Sequence, residues 1–219
     1  MTTYLVTGTS RGIGLEFCKQ LQNRGETVIA VCRDPTAPLK DLGVRVESGV
    51  DITQDDSVAA LAKRLQGTAL DVLIDNAGII EKNTLDNMDF DSMRRQFEVN
   101  ALGPLRVTKA LLPLLHSGSK VALLTSRMGS IGDNSSGDSY GYRMSKAALS
   151  MAGKSLAIDL KPQEIAVAIL HPGMVSTRMT GYSGISAEEA VQGLLERIEQ
   201  LNLDNTGTFW HAQGEILPW

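Results

Sequence analysis

Tyr142 and Lys146 lie four residues apart in the stretch "YGYRMSK", residues 140–146. On a helix that spacing puts both side chains on one face. A free tyrosine, with a pKa of about 10, is a poor proton donor or acceptor near neutrality. A neighbouring ammonium favours the phenolate and lowers that pKa. The pair is a candidate acid/base unit for interconverting a carbonyl and an alcohol. Tyr140 stands two residues earlier, roughly 200° away around any helix it shares, so it cannot use Lys146 in the same way. A Tyr-x-x-x-Lys alone arises often by chance, and its worth depends on the elements around it.

A second group of residues points to an anion. "TGTSRGIG" sets Gly8, Gly12 and Gly14 between an apolar run and a helical pattern. Glycines permit a tight turn and a close approach of backbone to ligand. A helix N-terminus beyond them offers unpaired N–H groups and a positive dipole end to a pyrophosphate. The spacing is GxxxGxG, not GxGxxG. The absence of Gly-Lys-Ser/Thr excludes a P-loop. The second strand ends "VCRD", where an acid would suit a ribose hydroxyl and a base a 2′-phosphate. Arg33 there, with Arg11 in the glycine turn, favours the phosphate, because a guanidinium presents a fixed fork of donors. Asp34 is the competing reader of the ribose, expected to point away and cap the turn before Pro35.

These groups need a scaffold. Apolar runs at 4–8, 27–33, 44–50, 70–78, 120–126, 165–173 and 207–214 are rich in Val, Ile and Leu. They are near-continuous rather than alternating, as in strands buried on both faces. Helical patterns lie between them at 12–24, 54–66, 91–116, 143–160 and 187–201. Such alternation predicts an α/β fold: one parallel sheet of about seven strands, with helices on both faces. No repeat or linker divides the chain, so one domain spans 1–219. The long polar loop "SRMGSIGDNSSGDSYG" after the fifth strand has a length usually kept for function.

Composition narrows the class. The 219 residues carry a net charge of -4, with 42% hydrophobic and 21% charged residues. That balance suits a globular protein and argues against nucleic acid or an acidic membrane as partner. Cys18 and Cys32 have no metal or redox spacing, and His116, His171 and His211 are scattered. A reducing compartment with no metal site is expected. Neither a signal peptide nor a span-length apolar run is present, so the expected location is cytoplasmic.

In their order along the chain, "TGTSRGIG", "DNAG" (75–78), "VNALGP", "LLTSRMGS", "YRMSK" and "HPGMVST" resemble the motifs of the short-chain dehydrogenase/reductases, over essentially the whole chain. The branch most resembled holds sniffer-type carbonyl reductases and the bacterial C-factor, which share the longer loop before the tyrosine. The resemblance implies a single-domain Rossmann-type doubly wound sheet. It also implies an NADP(H)-dependent oxidoreductase for a small carbonyl or alcohol. Tyr142 would be the acid/base, and Lys146 would bind the nicotinamide ribose and lower the tyrosine pKa. Ser126 would hold the carbonyl oxygen, and Asn100 a water linking Lys146 to solvent. The cofactor would lie along Gly8, Ser10, Arg11, Gly12, Ile13, Gly14, Arg33, Asp51 and Ile52. It would continue past Asn76, Ala77, Gly78, Asn100, Tyr142, Lys146, Pro172, Gly173, Val175 and Thr177. Asp75 departs from the family's Asn-Asn-Ala-Gly.

Ser130 competes with Ser126, lying 12 rather than 16 residues before Tyr142. Ser126 is preferred because it ends the strand. The ten residues Arg178–Ala187 are short for a lid, which implies an open pocket with Met128, Met174, Met179 and Tyr182 as apolar walls. A homodimer or homotetramer through helices 91–116 and 143–160 is expected from the resemblance, with a monomer possible. The alternative reading is an NADP(H)-binding sensor with vestigial catalysis, which would have no need to keep Ser, Tyr, Lys and Asn together.

Overall fold

The structure is a computed structural model that describes residues 1–219. Its strands are β1 (Thr3–Thr7), β2 (Thr27–Val31), β3 (Arg45–Glu47), β4 (Leu70–Asp75), β5 (Leu115–Leu124), β6 (Ala166–His171) and β7 (Phe209–His211). They form one sheet in the order β3-β2-β1-β4-β5-β6-β7, and every pairing is parallel. The order reverses beside β1, so the ends of β1 and β4 open a crevice at the carboxyl edge, where such sheets bind ligands.

The helices are α1 (Gly12–Asn23), α2 (Ala37–Asp41), α3 (Asp55–Arg64), α4 (Phe90–Phe97), α5 (Gly103–Leu111), α6 (Tyr140–Leu160) and α7 (Ala187–Gln200). Strand alternation explains the two layers. Tyr4 and Val6 pack into one core with Phe17 and Leu21 of α1 and Leu194 and Ile198 of α7. Leu5 faces the other core, with Leu61 of α3, Val107 and Leu111 of α5 and Leu149 of α6. Apolar residues therefore occupy both faces of the sheet, which is why the runs read as continuous.

Three departures from the sequence reading bear on function. The helix expected over 91–116 is three pieces, because a π-turn at Glu98–Leu102 separates α4 from α5. A π-turn often marks a functional site. Its exit is crowded: a side chain at Gly103 would begin 2.7 Å from Ile52 Cδ1. α5 then ends in a 3-10 turn at Leu112–Leu114, and β5 starts at Leu115, inside the expected helix. Finally, α6 begins at Tyr140 rather than 143. Strands β2, β3 and β7 are shorter than their apolar runs, and the five-residue α2 was unforeseen. No helix is long and apolar enough to cross a membrane.

Candidate active site

The glycine turn connects β1 to α1. Arg11 is the N-cap of α1 but supplies no side-chain cap, and no acid lies in the first turn. The first N–H groups of the helix are thus left to a ligand, beside the positive dipole end. Two glycines are required by close approach. A Cβ on Gly14 would sit 2.2 Å from the Gly8 carbonyl oxygen, and one on Gly8 would sit 2.7 Å from Ala77 Cα. Gly12 adopts φ +57° and faces the Thr177 methyl across the cleft. Gly14→Ala is expected to destabilise the protein by about 1–3 kcal/mol, because backbone must shift to admit the methyl. Denaturant melting reads this directly, and an unchanged midpoint would contradict it.

Around the turn, Ser10 donates to the Asp34 carbonyl at 2.6 Å, and Thr36 donates to the Ser10 carbonyl at 2.8 Å. These bonds pin the exposed Arg33 and Asp34 beside Arg11. The Asp34 carboxylate makes no hydrogen bond, so the cap expected before Pro35 is not formed. Asp51 accepts from the Thr53 N–H and hydroxyl at 2.9 and 2.7 Å. Burial pushes its carboxyl up, but the Thr53 bonds and the Arg33 and Arg106 charges outweigh it and hold the pKa below the usual range. Arg106 also donates to the Ile52 carbonyl.

The floor of the cleft is tied by Asn76 together with Thr7, which sequence reasoning missed. Thr7 accepts from the Asn76 and Ala77 N–H groups at 3.0 and 3.2 Å. Asn76 Nδ2 donates to the carbonyls of Thr7 and Gly8 at 2.8 and 3.2 Å. Asn100, in the π-turn, is fully buried and holds Ile79 as a strand neighbour would. Its Oδ1 accepts from the Ile79 N–H, and its Nδ2 donates to the Ile79 carbonyl, both at 2.8 Å. Nδ2 also donates to Ser145 Oγ at 3.0 Å, and Ser145 donates to the Tyr142 carbonyl at 2.8 Å. Asn100 therefore braces the tyrosine's helix turn. Ser145, inside "YRMSK", carried no signal until its partners were known.

Tyr142 and Lys146 share the buried face of α6, and Tyr140 is the first residue of the same helix. Lys146 Nζ lies 5.9 Å from the Tyr142 ring centroid and donates to the Leu124 carbonyl at 2.7 Å. No carboxylate pairs with it, and burial lowers its pKa to about 8. A buried ammonium held by one carbonyl can serve a further acceptor. A Cβ on Gly78 would lie 3.4 Å from Nζ and 3.2 Å from Asn100 Oδ1, so both groups border the space over that glycine. Burial raises the Tyr142 pKa, and the nearby Ser126 hydroxyl works against it. The Lys146 ammonium is turned to Leu124.

The two serines part company. Ser126 follows β5, accepts from the Met128 N–H at 3.1 Å and lies near enough to the Tyr142 phenol to influence it. Ser130 accepts from the Asp133 N–H and serves the loop. The loop itself is pinned by Arg127, which pairs with Asp133 and Glu215 at 2.9 and 2.7 Å. Pro172, Gly173 and Val175 follow β6, and Gly173 lies against His211. Thr177 leads a 3-10 turn at Arg178–Thr180. The short lid folds back as a bridge between Val175 and Ile185, with Ser176 N–H donating to the Ile185 carbonyl at 2.7 Å. Met174, Met179 and Tyr182 are exposed along it.

The residues expected of a dinucleotide site thus fit one in kind. The uncapped helix end and two unpaired guanidiniums suit phosphates, and a buried lysine lacks a counter-ion.

Comparison with known proteins agrees with this arrangement. The model of the family described as short chain dehydrogenase matches residues 2–187. The chain is similar to the 1-hydroxy-2-glutathionyl-2-methyl-3-butene dehydrogenase of Rhodococcus sp. (strain AD45), with 44% identity over 226 residues and 100% of both chains covered. It is 47% identical to the C-signal of Myxococcus xanthus over 154 residues, 68% of this chain and 93% of that protein. Among solved structures, NADPH-bound carbonyl reductase from chicken fatty liver superposes with a TM-score of 0.91 at 31% identity, covering 100% of this chain and 99% of that one. Carbonyl reductase Sniffer of D. melanogaster gives 0.93 at 29%, covering 100% of both.

Proposed function

The chain belongs to the short chain dehydrogenase family, and on that premise we propose that it is an NADP(H)-dependent oxidoreductase interconverting a carbonyl and an alcohol. The observation that carries this reading is that Tyr142 and Lys146 stand together on the buried face of α6, with the lysine Nζ 5.9 Å from the phenol ring centroid and no carboxylate paired to it. The group expected in the glycine cradle supplies the hydride; the chain handles the proton. In reduction, Tyr142 gives its phenolic proton to the substrate oxygen while Ser126 donates to the same oxygen. In oxidation the phenolate takes that proton back. Lys146 is poised for a ribose hydroxyl, and its charge, once turned from Leu124, favours the phenolate. Asn100 fixes the geometry through Ser145.

NADPH consumption against a panel of aldehydes, ketones and quinones tests the reading. A glutathione-conjugated alcohol with NADP belongs in the panel, because the Rhodococcus relative bears that activity in its name. Turnover of a member supports the enzyme. Cofactor binding with no turnover supports the sensor reading, for which the likeness to the C-signal is the motive.

The assembly proposed is a homodimer or homotetramer. Met144, Met151 and Ile158 on α6 are each more than half exposed. Their seven-residue spacing lines them along one stripe, the pattern of a helix seam. Sedimentation at micromolar concentration is expected to give at least twice the 23.6 kDa chain mass. A single species at chain mass would exclude the oligomer.

A further inference from the structure

Asp75 ends β4 directly before the cofactor floor, and its side chain is 1% exposed. The Thr108 hydroxyl of α5 donates to Oδ2 at 2.9 Å, while Oδ1 has no hydrogen-bond partner. Burial pushes the carboxyl up to about 8, against the pull of the Thr108 and Thr7 hydroxyls. No charged group offsets it. On β1 the titratable Tyr4 pairs with Val72 at the far end, and on β5 the residue opposite Asp75 is Leu123. Lys120 of β5 is bonded to the carbonyls of Ile198 and Glu199. On α5, Arg106 pairs with Asp55 and Glu98, and Lys109 is exposed. Lys146 of α6 is turned to Leu124.

Thr7 is the link outward: β1 and β4 run parallel with Val6 paired to Ile74, so the next residues, Thr7 and Asp75, stand side by side at the strand ends. The Thr7 hydroxyl oxygen already accepts the N–H groups of Asn76 and Ala77, which fix the residues under Gly8 and Gly14. We propose that Asp75 is a positioning residue that works as the neutral acid: it keeps the Thr7 clamp in its binding geometry, and its ionisation weakens binding of the phosphate-bearing nicotinamide cofactor. The inference rests on the reading of the site given above. A carboxylate here would be a buried charge served by the Thr108 hydroxyl and no cation, a costly state that draws neighbouring donors toward itself. It would also add negative charge beneath a polyanionic ligand. Because the cofactor then favours the protonated form, affinity falls as pH rises through the Asp75 midpoint, by at most about tenfold per pH unit for one proton.

The test is NADPH titration by fluorescence at several pH values, on wild type and Asp75→Asn, which is nearly isosteric and cannot ionise. Between about pH 7 and pH 9 the wild type should lose up to about tenfold more affinity than Asp75→Asn. Lys146, also near 8, titrates in both proteins, so the difference between them isolates Asp75. A second readout needs no cofactor. The folded acid has a raised pKa, so its stabilising contribution is full below the unfolded value and is lost as pH rises through the folded value. Melting of the wild type should show that slope and Asp75→Asn should not. Thr108→Val, which removes a bond to the ionised form, should move the wild-type midpoint to higher pH and serves if Asp75→Asn does not fold. Superimposable affinity profiles, or an unmoved midpoint in Thr108→Val, would overturn the inference alone. Absence of NADPH binding by the wild type at any pH would overturn the reading of the site and the inference with it.

Discussion

Replacing Tyr142 with Phe should lower turnover by at least about 100-fold, the scale of losing general acid/base catalysis. The ring stays, so its packing on α6 is kept and only the hydroxyl is lost. That hydroxyl is the one group in the site able to give and retake a proton where Ser126 can hold the same oxygen. NADPH affinity should change little, since the glycine turn, Arg33 and Lys146 are untouched. The KM for a carbonyl substrate should change less than kcat, because the proton transfer is a demand of the transition state. Tyr140→Phe should be mild, because Tyr140 sits two residues earlier on the same helix, turned from Lys146. Steady-state kinetics of both variants decide the matter, and a crippling Tyr140 change with a mild Tyr142 change would reverse the assignment. The pH dependence adds a constraint. Burial raises the Tyr142 pKa and lowers that of Lys146 to about 8. The raised tyrosine pKa keeps the phenol protonated at neutral pH, which suits proton donation in carbonyl reduction.

The sheet was legible because continuous apolar runs mean burial on two faces, and two-sided cover follows from helices between strands. Tyr142 and Lys146 were legible because one helical period puts them together. The π-turn was not. It depends on Asn100 holding Ile79 and on Gly103 meeting Ile52, contacts between segments far apart in the chain. "LLPLLHS" continued a helical pattern by hydrophobicity, yet Leu115 pairs with Leu70 as the start of β5. Thr7 and Ser145 gave no signal, since a Thr ending a strand and a Ser on a helix are ordinary until their partners are known. Asp75 was visible as a departure from the motif, but its lack of a cation is a property of packing.

Cofactor choice should favour NADPH over NADH by about 30- to 150-fold, which corresponds to roughly 2–3 kcal/mol. The two coenzymes differ by one phosphate on the adenosine ribose. Arg11 and Arg33 are both exposed at that edge, and neither is in a salt bridge. Each could give charge-assisted hydrogen bonds worth roughly 1.5–3 kcal/mol before screening. Salt and solvent reduce this at an exposed site. The Arg33 charge is also shared with Asp51, whose carboxyl it helps hold ionised. Asp34 opposes the preference if its carboxylate turns to the ribose. Its backbone is held by Ser10, but its side chain is free of hydrogen bonds. Arg33→Ala should therefore remove most of the preference while leaving NADH affinity nearly unchanged, because the lost donors serve only the extra phosphate. Loss of a positive charge beside Asp34 and Asp51 leaves a net negative edge, which further disfavours NADPH and tolerates a ribose hydroxyl. Titration of both coenzymes at fixed ionic strength, on wild type and Arg33→Ala, measures the two affinities directly. Equal or tighter binding of NADH by the wild type would assign the ribose to Asp34 instead of Arg33.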